Sequence, residues 1–520
     1  MSCEFHPTND LSKFYTDETV TDSERNKSLP GMDIINGIFS SRILSYLLLG
    51  YAISILVVVI MIVLENRSPL KTISWILVLL LLPGLGFLFY IFFGQNFRKE
   101  KIIARKGMRN QHRLHYLAHS QIIQLTEGNL KGNEIASDTT GIVRLLLNNS
   151  SSIVTSGNDV TFLNNGKDKF EALLRELNNA QKFIHLEYYI FEEDNIGYQI
   201  KQILKEKARA GVEVRLIVDD VGSWKLKRSF FDEMNEAGVE AYSFLPVRFP
   251  LLTSKVNYRN HRKIVVIDGR VGFIGGYNIA DRYKDGDMKS YGIWRDTHIM
   301  IRGSAVNSLQ SIFLTDWFFV SETELTDPGY FPVSEQVNNK VIQIVASGPD
   351  SDWPAIMMGI FHTIVRARDY LYIATPYFMP SESVLFALKT AALSGVDVRI
   401  IIPEKSDAFI TFLCSRSYIR ELLEAGVQVY FYQKGFLHAK TIVCDDKISI
   451  VGSANMDFRS FEQNFEATAF IYDKATAQEM KETFLEDQRN SEIILLPEWI
   501  ERPYIEKVKE SFARLFSPLL

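Results

Sequence analysis

The chain contains a long internal repeat, and this repeat constrains its fold more than any other feature. When residues 160–280 are laid beside residues 351–457, similar segments follow one another in the same order. "AQKFIHLEYYIF", from Ala180, recurs as "ARDYLYIATPYF", from Ala367, and later "EAGVEAYSF" recurs as "EAGVQVYFY". A duplication of this length predicts two similar lobes with a pseudo-twofold interface.

Each copy of the repeat alternates apolar, strand-like runs with amphipathic segments of helical period, such as "GYQIKQILKEKARAG" and "SVLFALKTAALSG". This alternation is typical of α/β units with a mixed, buried sheet. We therefore expect an α/β fold with one lobe over residues 151–340 and a second over residues 341–520, which ends in a C-terminal helix.

The strongest motif lies inside the repeat. "HRKIVVIDGRVGFIGGYN" starts at residue 261, and "HAKTIVCDDKISIVGSAN" starts at residue 438. Five polar or glycine positions fall at identical offsets, and packing alone does not explain such a match. They are His261, Lys263, Asp268, Gly275 and Asn278 in the first copy, and His438, Lys440, Asp445, Gly452 and Asn455 in the second.

Each motif is typical of a strand hairpin. Histidine and lysine two positions apart on a strand project to the same face, so imidazole and ammonium can converge on one ligand. The returning strand ends at Gly275-Gly276 or Gly452-Ser453, where bare backbone can approach a ligand closely. The asparagine that follows can donate an amide hydrogen bond.

The two motif aspartates, Asp268 and Asp445, fall at the turn of each predicted hairpin. We group them with the catalytic motif, but the turn position favours a structural role over a catalytic one.

Two histidines, two lysines and two asparagines at one interface would form a cationic, donor-rich pocket that suits a phosphodiester. One neutral imidazole can attack phosphorus, and the other, protonated, can give its proton to the leaving alkoxide. The lysines would neutralise charge on the phosphate. The sequence has no cysteine or carboxylate cluster at metal spacing, so we expect neither a metal nor another cofactor.

Two stretches are long and apolar enough to cross a bilayer. Residues 43–64 and 73–93 carry no charged side chain and are joined by the short polar loop "ENRSPLKT". They predict a transmembrane hairpin over residues 43–97, after a polar N-terminal tail of residues 1–42. A basic juxtamembrane linker, residues 98–150, follows. By the positive-inside rule its arginines and lysines place the lobes in the cytoplasm.

Composition narrows the function. A net charge of −5 and a pI near 6.1 argue against nucleic acid as a partner. The three cysteines, Cys3, Cys414 and Cys444, are too few and too scattered for a disulfide framework.

The paired His-x-Lys motifs resemble those of the phospholipase D superfamily, and the chain is similar to the bacterial cardiolipin synthases within it. The similarity extends through "WRDTHIMIRGSAV", "FLTDW", "MDFRSFEQNFE" and the terminal "ARLFSPLL". It implies two phospholipase D-like lobes with a shared active site, and a multi-pass protein of the bacterial inner membrane.

The resemblance also implies a reaction. A phosphatidyl group would pass from one phosphatidylglycerol to the glycerol headgroup of another, giving cardiolipin and glycerol through a phosphatidyl-histidine. The family's usual assignment makes His261 the nucleophile and His438 the acid/base, although the symmetry of the sequence allows either order. An acidic residue downstream of each motif orients the opposite histidine, which places Glu466 near His261 and Asp296 near His438.

Two alternatives remain open from the sequence. A phospholipase D-type hydrolase would share both motifs, and a phosphatidyltransferase could use another acceptor lipid. Phosphatidylglycerol and cardiolipin in the membrane are the expected partners, and the sequence identifies no protein partner.

Overall fold

The computed structural model describes residues 30–64, 69–82, 84–90, 108–127, 139–247, 257–288 and 291–519. Compactness divides the chain into two units, residues 1–95 and residues 96–520. Most of the polar tail therefore lies outside the described residues, as do Cys3 and residues 98–107 of the basic linker.

The first unit is dominated by one long helix, α1 (Pro30–Leu64). Its segment Ser45–Leu64 has a mean hydropathy of 3.1 and is long enough to cross a membrane. The helix begins earlier than the apolar stretch, so the last part of the predicted tail, residues 30–42, is helical.

The second apolar stretch is divided between α2 (Pro69–Leu81) and α3 (Leu85–Phe89). Gly84, with φ +80°, separates the two helices. Its N–H donates to the Tyr51 hydroxyl at 3.0 Å, which ties the α2–α3 junction to α1. Within the described residues, α1 is thus the helix that reaches spanning length, and residues 91–93 of the predicted second span lie outside them.

The second unit is built on one fifteen-stranded sheet with the order β19-β13-β12-β10-β15-β16-β18-β9-β1-β8-β6-β5-β2-β3-β4. Its first-half strands are β1 (Val154–Leu163), β2 (Phe183–Tyr188), β3 (Glu213–Asp219), β4 (Val239–Phe244), β5 (Lys263–Ile267), β6 (Val271–Gly275) and β8 (His298–Arg302). Its second-half strands are β9 (Lys340–Ser347), β10 (Tyr370–Ala374), β12 (Asp397–Pro403), β13 (Gln428–Tyr432), β15 (Thr441–Cys444), β16 (Ile448–Gly452), β18 (Glu466–Tyr472) and β19 (Ser491–Ile493). Four short strands pair outside this sheet: β7 (Ile293–Arg295), β11 (Phe378–Met379), β14 (Gly435–Leu437) and β17 (Met456–Asp457).

The strand order runs symmetrically outward from the β1–β9 antiparallel pair. On one side follow β8, β6, β5, β2, β3 and β4, and on the other β18, β16, β15, β10, β12 and β13. The predicted α/β fold of two similar lobes is confirmed, with the addition that their sheets are joined edge to edge. Without this pairing, β1 and β9 would each be an exposed edge strand of its own half-sheet.

Helices cover the sheet. The amphipathic helices bury their apolar stripes on it while central strands such as β2 are buried on both faces. The remaining helices are α4 (Met108–Thr126), α5 (Thr140–Ser150), α6 (Gly166–Asn179), α7 (Asn195–Arg209), α8 (Arg228–Glu236), α9 (Asp281–Lys284), α10 (Val306–Ser321), α11 (Ala355–Arg366), α12 (Glu382–Leu393), α13 (Phe409–Ser417), α14 (Ile419–Glu424), α15 (Phe458–Glu462), α16 (Lys474–Arg489), α17 (Leu496–Glu501) and α18 (Tyr504–Arg514). Short 3₁₀ turns occur at Pro328–Tyr330 and Ser517–Leu519.

The helix α5 lies in the region that sequence analysis assigned to the linker. Its residues Ile142, Val143, Leu146 and Leu147 are buried in the core that also contains β9 and α11. The structured body of the second unit therefore includes residues 140–150. The polar sequence around this helix is why sequence analysis assigned it to the linker.

Candidate active site

The two motifs occupy equivalent places in the sheet. His261 and Lys263 lie at the start of β5, and His438 and Lys440 lie just before β15. Each lysine ammonium donates to the backbone oxygen of its own motif histidine, at 2.6 Å from Lys263 to His261. Both histidine–lysine pairs are buried, and the same lysine-to-histidine contact is made in each half.

Backbone contacts cross between the halves at both motifs. The His261 N–H donates to the Phe465 carbonyl at 2.9 Å, and the His438 N–H donates to the Arg295 carbonyl at 2.7 Å. In addition, β14 pairs in parallel with β7. Because Phe465 and Arg295 immediately precede the two acidic residues, these contacts bring each carboxylate to the opposite half's histidine.

His261 is held by Glu466. Its Nδ1 lies 2.9 and 3.1 Å from the two carboxylate oxygens, and the carboxylate is fully buried. Glu466 also accepts a hydrogen bond from the Ser453 hydroxyl and one of 3.2 Å from the Asn464 amide. The proximity expected from the motif is present, and Nδ1 is fixed as the donor, which leaves Nε2 with a lone pair.

His438 is held by Asp296. Its Nδ1 lies 2.6 Å from Asp296 Oδ2, while Oδ1 accepts the Thr297 N–H at 2.7 Å. Lys440 Nζ is 4.0 Å from the same carboxylate. The second expected pair is therefore also present, and it fixes the same tautomer.

Burial controls the charge of both imidazoles. It lowers the pKa of His261 to about 4, against the opposing effect of Glu466 and with a further lowering from Lys263. Burial, then Lys440, lowers the pKa of His438, although Asp296 opposes the shift. At neutral pH both rings are therefore neutral in the ligand-free site, and each presents an unprotonated Nε2.

The two lysines share one electrostatic environment. Burial lowers the pKa of Lys263 to about 7 and that of Lys440 to about 8. Lys440 contributes to the lowering at Lys263, and Glu466 opposes it at both. Like charges brought this close favour an anionic ligand, whose negative charge restores the ammonium form.

The carboxylates remain ionised despite their burial. Burial alone would raise the pKa of Glu466, but His261 and Lys263 hold it below its usual range. Lys440 and His438 likewise outweigh the effect of burial on the pKa of Asp296. Both side chains can thus stabilise an imidazolium that forms during a reaction.

The motif glycines make room for these carboxylates and for the neighbouring strand. A Cβ on Gly276 would lie 2.1 Å from Asp296 Oδ1, and one on Gly275 would lie 2.5 Å from the His298 Cα. A Cβ on Gly452 would lie 2.3 Å from Thr468 Oγ1. Sequence analysis expected close approach to a ligand at these positions, whereas the described contacts are within the protein. At the fourth position Ser453 donates to Glu466.

The two asparagines differ from the expectation that each donates to a ligand. Asn278 donates to the Tyr283 hydroxyl at 2.7 Å and accepts from the Ile190 N–H at 3.1 Å. Asn455 hydrogen-bonds Asp457, and its own N–H donates to Ser460. Both therefore hold the loops around the site together.

The motif aspartates lie at the far end of their strands from the histidines. Asp268 accepts three backbone N–H groups at 2.7–2.9 Å, from residues 181–183. Asp445 accepts three at 2.9 Å, from residues 368–370. Both also adopt positive φ at the hairpin turn. These contacts fit the structural role and give no support to placing Asp268 and Asp445 among the catalytic residues.

Sequence reasoning assigned Tyr189 mainly to the core and missed the other aromatic walls of the site. Tyr189 packs edge-on against His261, with ring centroids 4.7 Å apart. Three aromatic rings surround His438 at centroid distances of 5.4–5.9 Å, namely Trp294, Phe436 and Tyr283. Trp294 and Phe436 lie two residues before Asp296 and His438 respectively, which is the signal that could have identified them.

Arg262, between the two residues of the first motif, was also missed. Its side chain forms a buried ion pair with Asp316 of α10, and its Nε donates to the Glu466 carbonyl at 3.2 Å. Alternation along the strand directs it away from the histidine face. Arg262 thus fixes the strand that carries His261 relative to the strand that carries Glu466.

Among the residues that the structure describes, no group of three or more histidine, cysteine, aspartate and glutamate side chains is placed to hold a metal ion. Cys414 and Cys444 are both buried and free. The chemistry offered by the described side chains is acid–base, nucleophilic and electrostatic, from two imidazole–carboxylate pairs and two ammonium groups.

Family comparisons identify both units. Residues 173–317 and 360–488 match the family model described as "Cardiolipin synthase, PLD-like domain". Residues 52–95 match the model described as "Phospholipase_D-nuclease N-terminal".

Close relatives span nearly the whole chain. A protein named cardiolipin synthase from Geobacillus kaustophilus is 42% identical over 492 residues, which cover 94% of this chain and 96% of that protein. Cardiolipin synthase 2 of Bacillus anthracis is 43% identical over 473 residues, with coverage of 90% and 91%. Among solved structures, the phosphatidylserine synthase of Haemophilus influenzae matches with a TM-score of 0.57 at 15% identity, over 74% of this chain and 100% of that chain. This last similarity concerns the fold alone.

Proposed function

The chain belongs to the cardiolipin synthase family of phospholipase D-like phosphatidyltransferases, and we propose that it joins two phosphatidylglycerol molecules into cardiolipin and glycerol. The observation that carries this proposal is the pair of buried imidazole–carboxylate contacts, each completed across the two halves of the repeat. Two such pairs provide a nucleophile and an acid/base for one phosphodiester.

In the first step His261 is the nucleophile. Its neutral Nε2 attacks phosphorus, a nitrogen–phosphorus bond forms, and the bond to the glycerol oxygen breaks. Imidazolium character at His261 is stabilised by Glu466, which already holds Nδ1. Lys263 and Lys440 would stabilise the charge on the non-bridging phosphate oxygens.

His438 is the acid/base in both steps. The bound phosphodiester anion raises the pKa of a nearby imidazole, so His438 can carry the proton that the leaving glycerol takes. After glycerol departs, neutral His438 removes the proton from the terminal hydroxyl of a second phosphatidylglycerol. That oxygen then bonds to phosphorus as the nitrogen–phosphorus bond breaks, which gives cardiolipin and regenerates both histidines.

The protein is associated with a membrane through its N-terminal apolar region. We further propose a multi-pass arrangement in the bacterial inner membrane with the catalytic lobes in the cytoplasm. The excess of arginine and lysine in residues 98–113 over that in the loop at residues 65–72 supports this orientation.

Phospholipids are the substrates of this family, and phosphatidylglycerol and cardiolipin are the particular lipids proposed here. The decisive experiment incubates the purified full chain in mixed micelles with phosphatidylglycerol labelled in its headgroup glycerol. We expect one glycerol released for each cardiolipin formed. Phosphatidic acid as the sole lipid product would identify a hydrolase instead. Faster transfer to added phosphatidylethanolamine would identify a different acceptor.

A further inference from the structure

The C-terminal helix α18 is oriented opposite to an ordinary surface helix, since its apolar side faces solvent and its polar side faces the protein. Its apolar residues Ile505, Val508 and Phe512 recur at helical spacing on one side, and this side is open to solvent. Ile505 is 60% exposed and Phe512 is 63% exposed, and Leu515 just beyond the helix is 71% exposed.

The opposite side of α18 is polar and packs against the protein. Glu510 is buried and accepts from Arg416 Nε at 2.8 Å and from Arg502 Nη1 at 2.7 Å. The Arg416 guanidinium also stacks over the Trp499 ring. This packing fixes the rotation of α18 about its axis, so the apolar side cannot turn inward without breaking buried ion pairs.

The neighbouring helix α13, which packs against α18, also carries exposed apolar side chains. Arg416 of α13 pairs with Glu510, and Cys414 contacts the Ser517 hydroxyl at 2.9 Å. At the start of α13, Phe409 is 71% exposed and Ile410 is exposed as well. Soluble surfaces seldom carry so many exposed apolar side chains on adjoining elements, and such surfaces mark interaction sites.

This surface borders the catalytic site. Asp407, two residues before Phe409, accepts from the Tyr377 hydroxyl at 2.6 Å. Burial lowers the pKa of Lys440, and Asp407 is among the carboxylates that oppose this, so Asp407 belongs to the site's electrostatic environment. On another side, the turn Ser517–Leu519 packs against α15, which follows the second motif.

We propose that the C-terminal apolar face, formed by Phe409, Ile410, Ile505, Val508, Phe512 and Leu515, docks on the surface of the lipid bilayer. This docking would hold the mouth of the catalytic site against the membrane, so that a two-chain lipid can enter without crossing water. The role of this face in admitting lipid to the catalytic site rests on the proposed function, whereas its docking on the bilayer does not.

Two features favour a bilayer over a protein partner. The chain carries its own apolar helix of spanning length, so the second unit is covalently tethered to a membrane protein segment. The exposed Lys509 lies between Val508 and Glu510 in the sequence, beside the apolar side chains, where a lysine can reach anionic headgroups while its stem lies on the apolar layer.

Docking is tested on the full chain reconstituted in vesicles of phosphatidylcholine and phosphatidylglycerol. A Phe512→Cys substitution in a Cys3→Ser background carries an environment-sensitive nitrobenzoxadiazole label. We expect its emission to shift to the blue and to be quenched by doxyl-labelled lipid. The matched control is Tyr198→Cys, an exposed aromatic position on the amphipathic helix α7, which should show neither effect.

The outcomes separate the possible occupants. Equal emission and equal lipid quenching at positions 512 and 198 would overturn the proposal. Energy transfer between labelled copies at position 512, without lipid quenching, would identify a second copy of the chain as the occupant. Adding His438→Ala to the Phe512→Cys chain should leave lipid quenching unchanged, so a failure of the proposed chemistry is distinguishable from a failure of docking.

A kinetic test uses the double substitution Ile505→Asp and Phe512→Asp. Both side chains are exposed, so the folded state should tolerate the change, as a melting curve can verify. We expect transfer from vesicle-borne phosphatidylglycerol to fall about tenfold, because two apolar side chains can no longer enter the bilayer. Turnover of monomeric dihexanoyl phosphatidylglycerol should stay within about twofold. An equal loss on both substrates would contradict docking.

Discussion

His261 and His438 occupy equivalent positions of the repeat, but their carboxylate partners are held differently. Glu466 contacts its histidine through both oxygens and also accepts from Ser453 and Asn464. Asp296 contacts its histidine through one oxygen, and Gly276 stands where Ser453 stands in the second copy. An aspartate is one methylene shorter than a glutamate. The backbone at Gly276 therefore lies close to Asp296, whereas the side chain of Ser453 has room to contact Glu466.

The surroundings of the rings differ as well. Among the described residues, Tyr189 packs on His261, whereas Trp294, Phe436 and Tyr283 surround His438. The imidazole–carboxylate contact is thus the same in both copies of the motif, whereas the aromatic residues around each ring differ. This divergence is consistent with different roles for the two histidines, one bonded to phosphorus and the other moving protons.

Replacing each histidine by alanine gives the largest expected effect. Each substitution should lower transfer from phosphatidylglycerol by about a thousandfold or more, because either the nucleophile or the acid/base is lost. A donor with a p-nitrophenolate leaving group separates the roles, since this group departs without a proton. With that donor, His438→Ala should again form a labelled phosphatidyl-enzyme, and His261→Ala should form none.

The measurement is radiolabel retained on the protein in an alkaline denaturing gel, where phosphorus–nitrogen bonds at histidine persist. Label on His261→Ala together with none on His438→Ala would reverse the two roles. Unchanged turnover in either variant would refute the two-histidine mechanism. Melting curves of both variants control for loss of folding.

Exchanging Gly276 and Ser453 tests the difference between the carboxylate pockets directly. In Gly276→Ser the new Cβ would lie 2.1 Å from Asp296 Oδ1, so the carboxylate must move away from His438. We expect kcat to fall by about tenfold to a hundredfold, as when the partner of a functional histidine is displaced. Ser453→Gly removes one hydrogen bond to Glu466 and should lower kcat by only about threefold to tenfold.

The matched pair is informative because the two substitutions are mirror images at one repeat position. Gly276→Ala, which adds the Cβ without a hydroxyl, should behave like Gly276→Ser if crowding is the cause. Equal effects of Gly276→Ser and Ser453→Gly would show that the two pockets are interchangeable, contrary to the comparison above.

Much of the site could be predicted from the repeat. Offsets within the two motifs identified the histidines and lysines, and the acidic residues after them followed from the family resemblance. The fold class followed from the alternation of apolar runs and amphipathic segments. These features are local in sequence or duplicated, so they leave a readable pattern.

Other features required the structure because they depend on tertiary contacts. The β1–β9 pairing that joins the two sheets leaves no local signature. The partners of Asn278 are a hydroxyl and a backbone N–H supplied by neighbouring loops, so its structural role could not be read from the motif. The second apolar stretch is divided into two helices at Gly84, although its composition predicts one continuous span.

The smallest expected effect concerns the two lysines, which titrate near neutral pH in the ligand-free protein. Burial lowers the pKa of Lys263 to about 7 and that of Lys440 to about 8. Between pH 7 and pH 9 both ammonium groups are lost, Lys263 first, so KM for the anionic lipid should rise by about threefold to tenfold. The change in kcat should be smaller, because bound phosphate restores the charges. Steady-state kinetics across this range measure both.

Over the same pH range the stability of the folded protein should increase, although its affinity for the anionic lipid falls. The ordinary pKa of a lysine side chain is 10.5. Between about pH 7 and pH 10.5 the unfolded chain therefore binds more protons than the folded chain at these two lysines. Their contribution to the free energy of unfolding therefore rises with pH in this window. Lys263→Met should remove the part of the rise that begins near pH 7, and Lys440→Met the part that begins near pH 8, whereas Lys205→Met, at a surface ion pair, should remove neither. If the rise begins at the same pH in both catalytic-site variants, the lysines titrate as one coupled pair and the two half-sites are electrostatically a single unit.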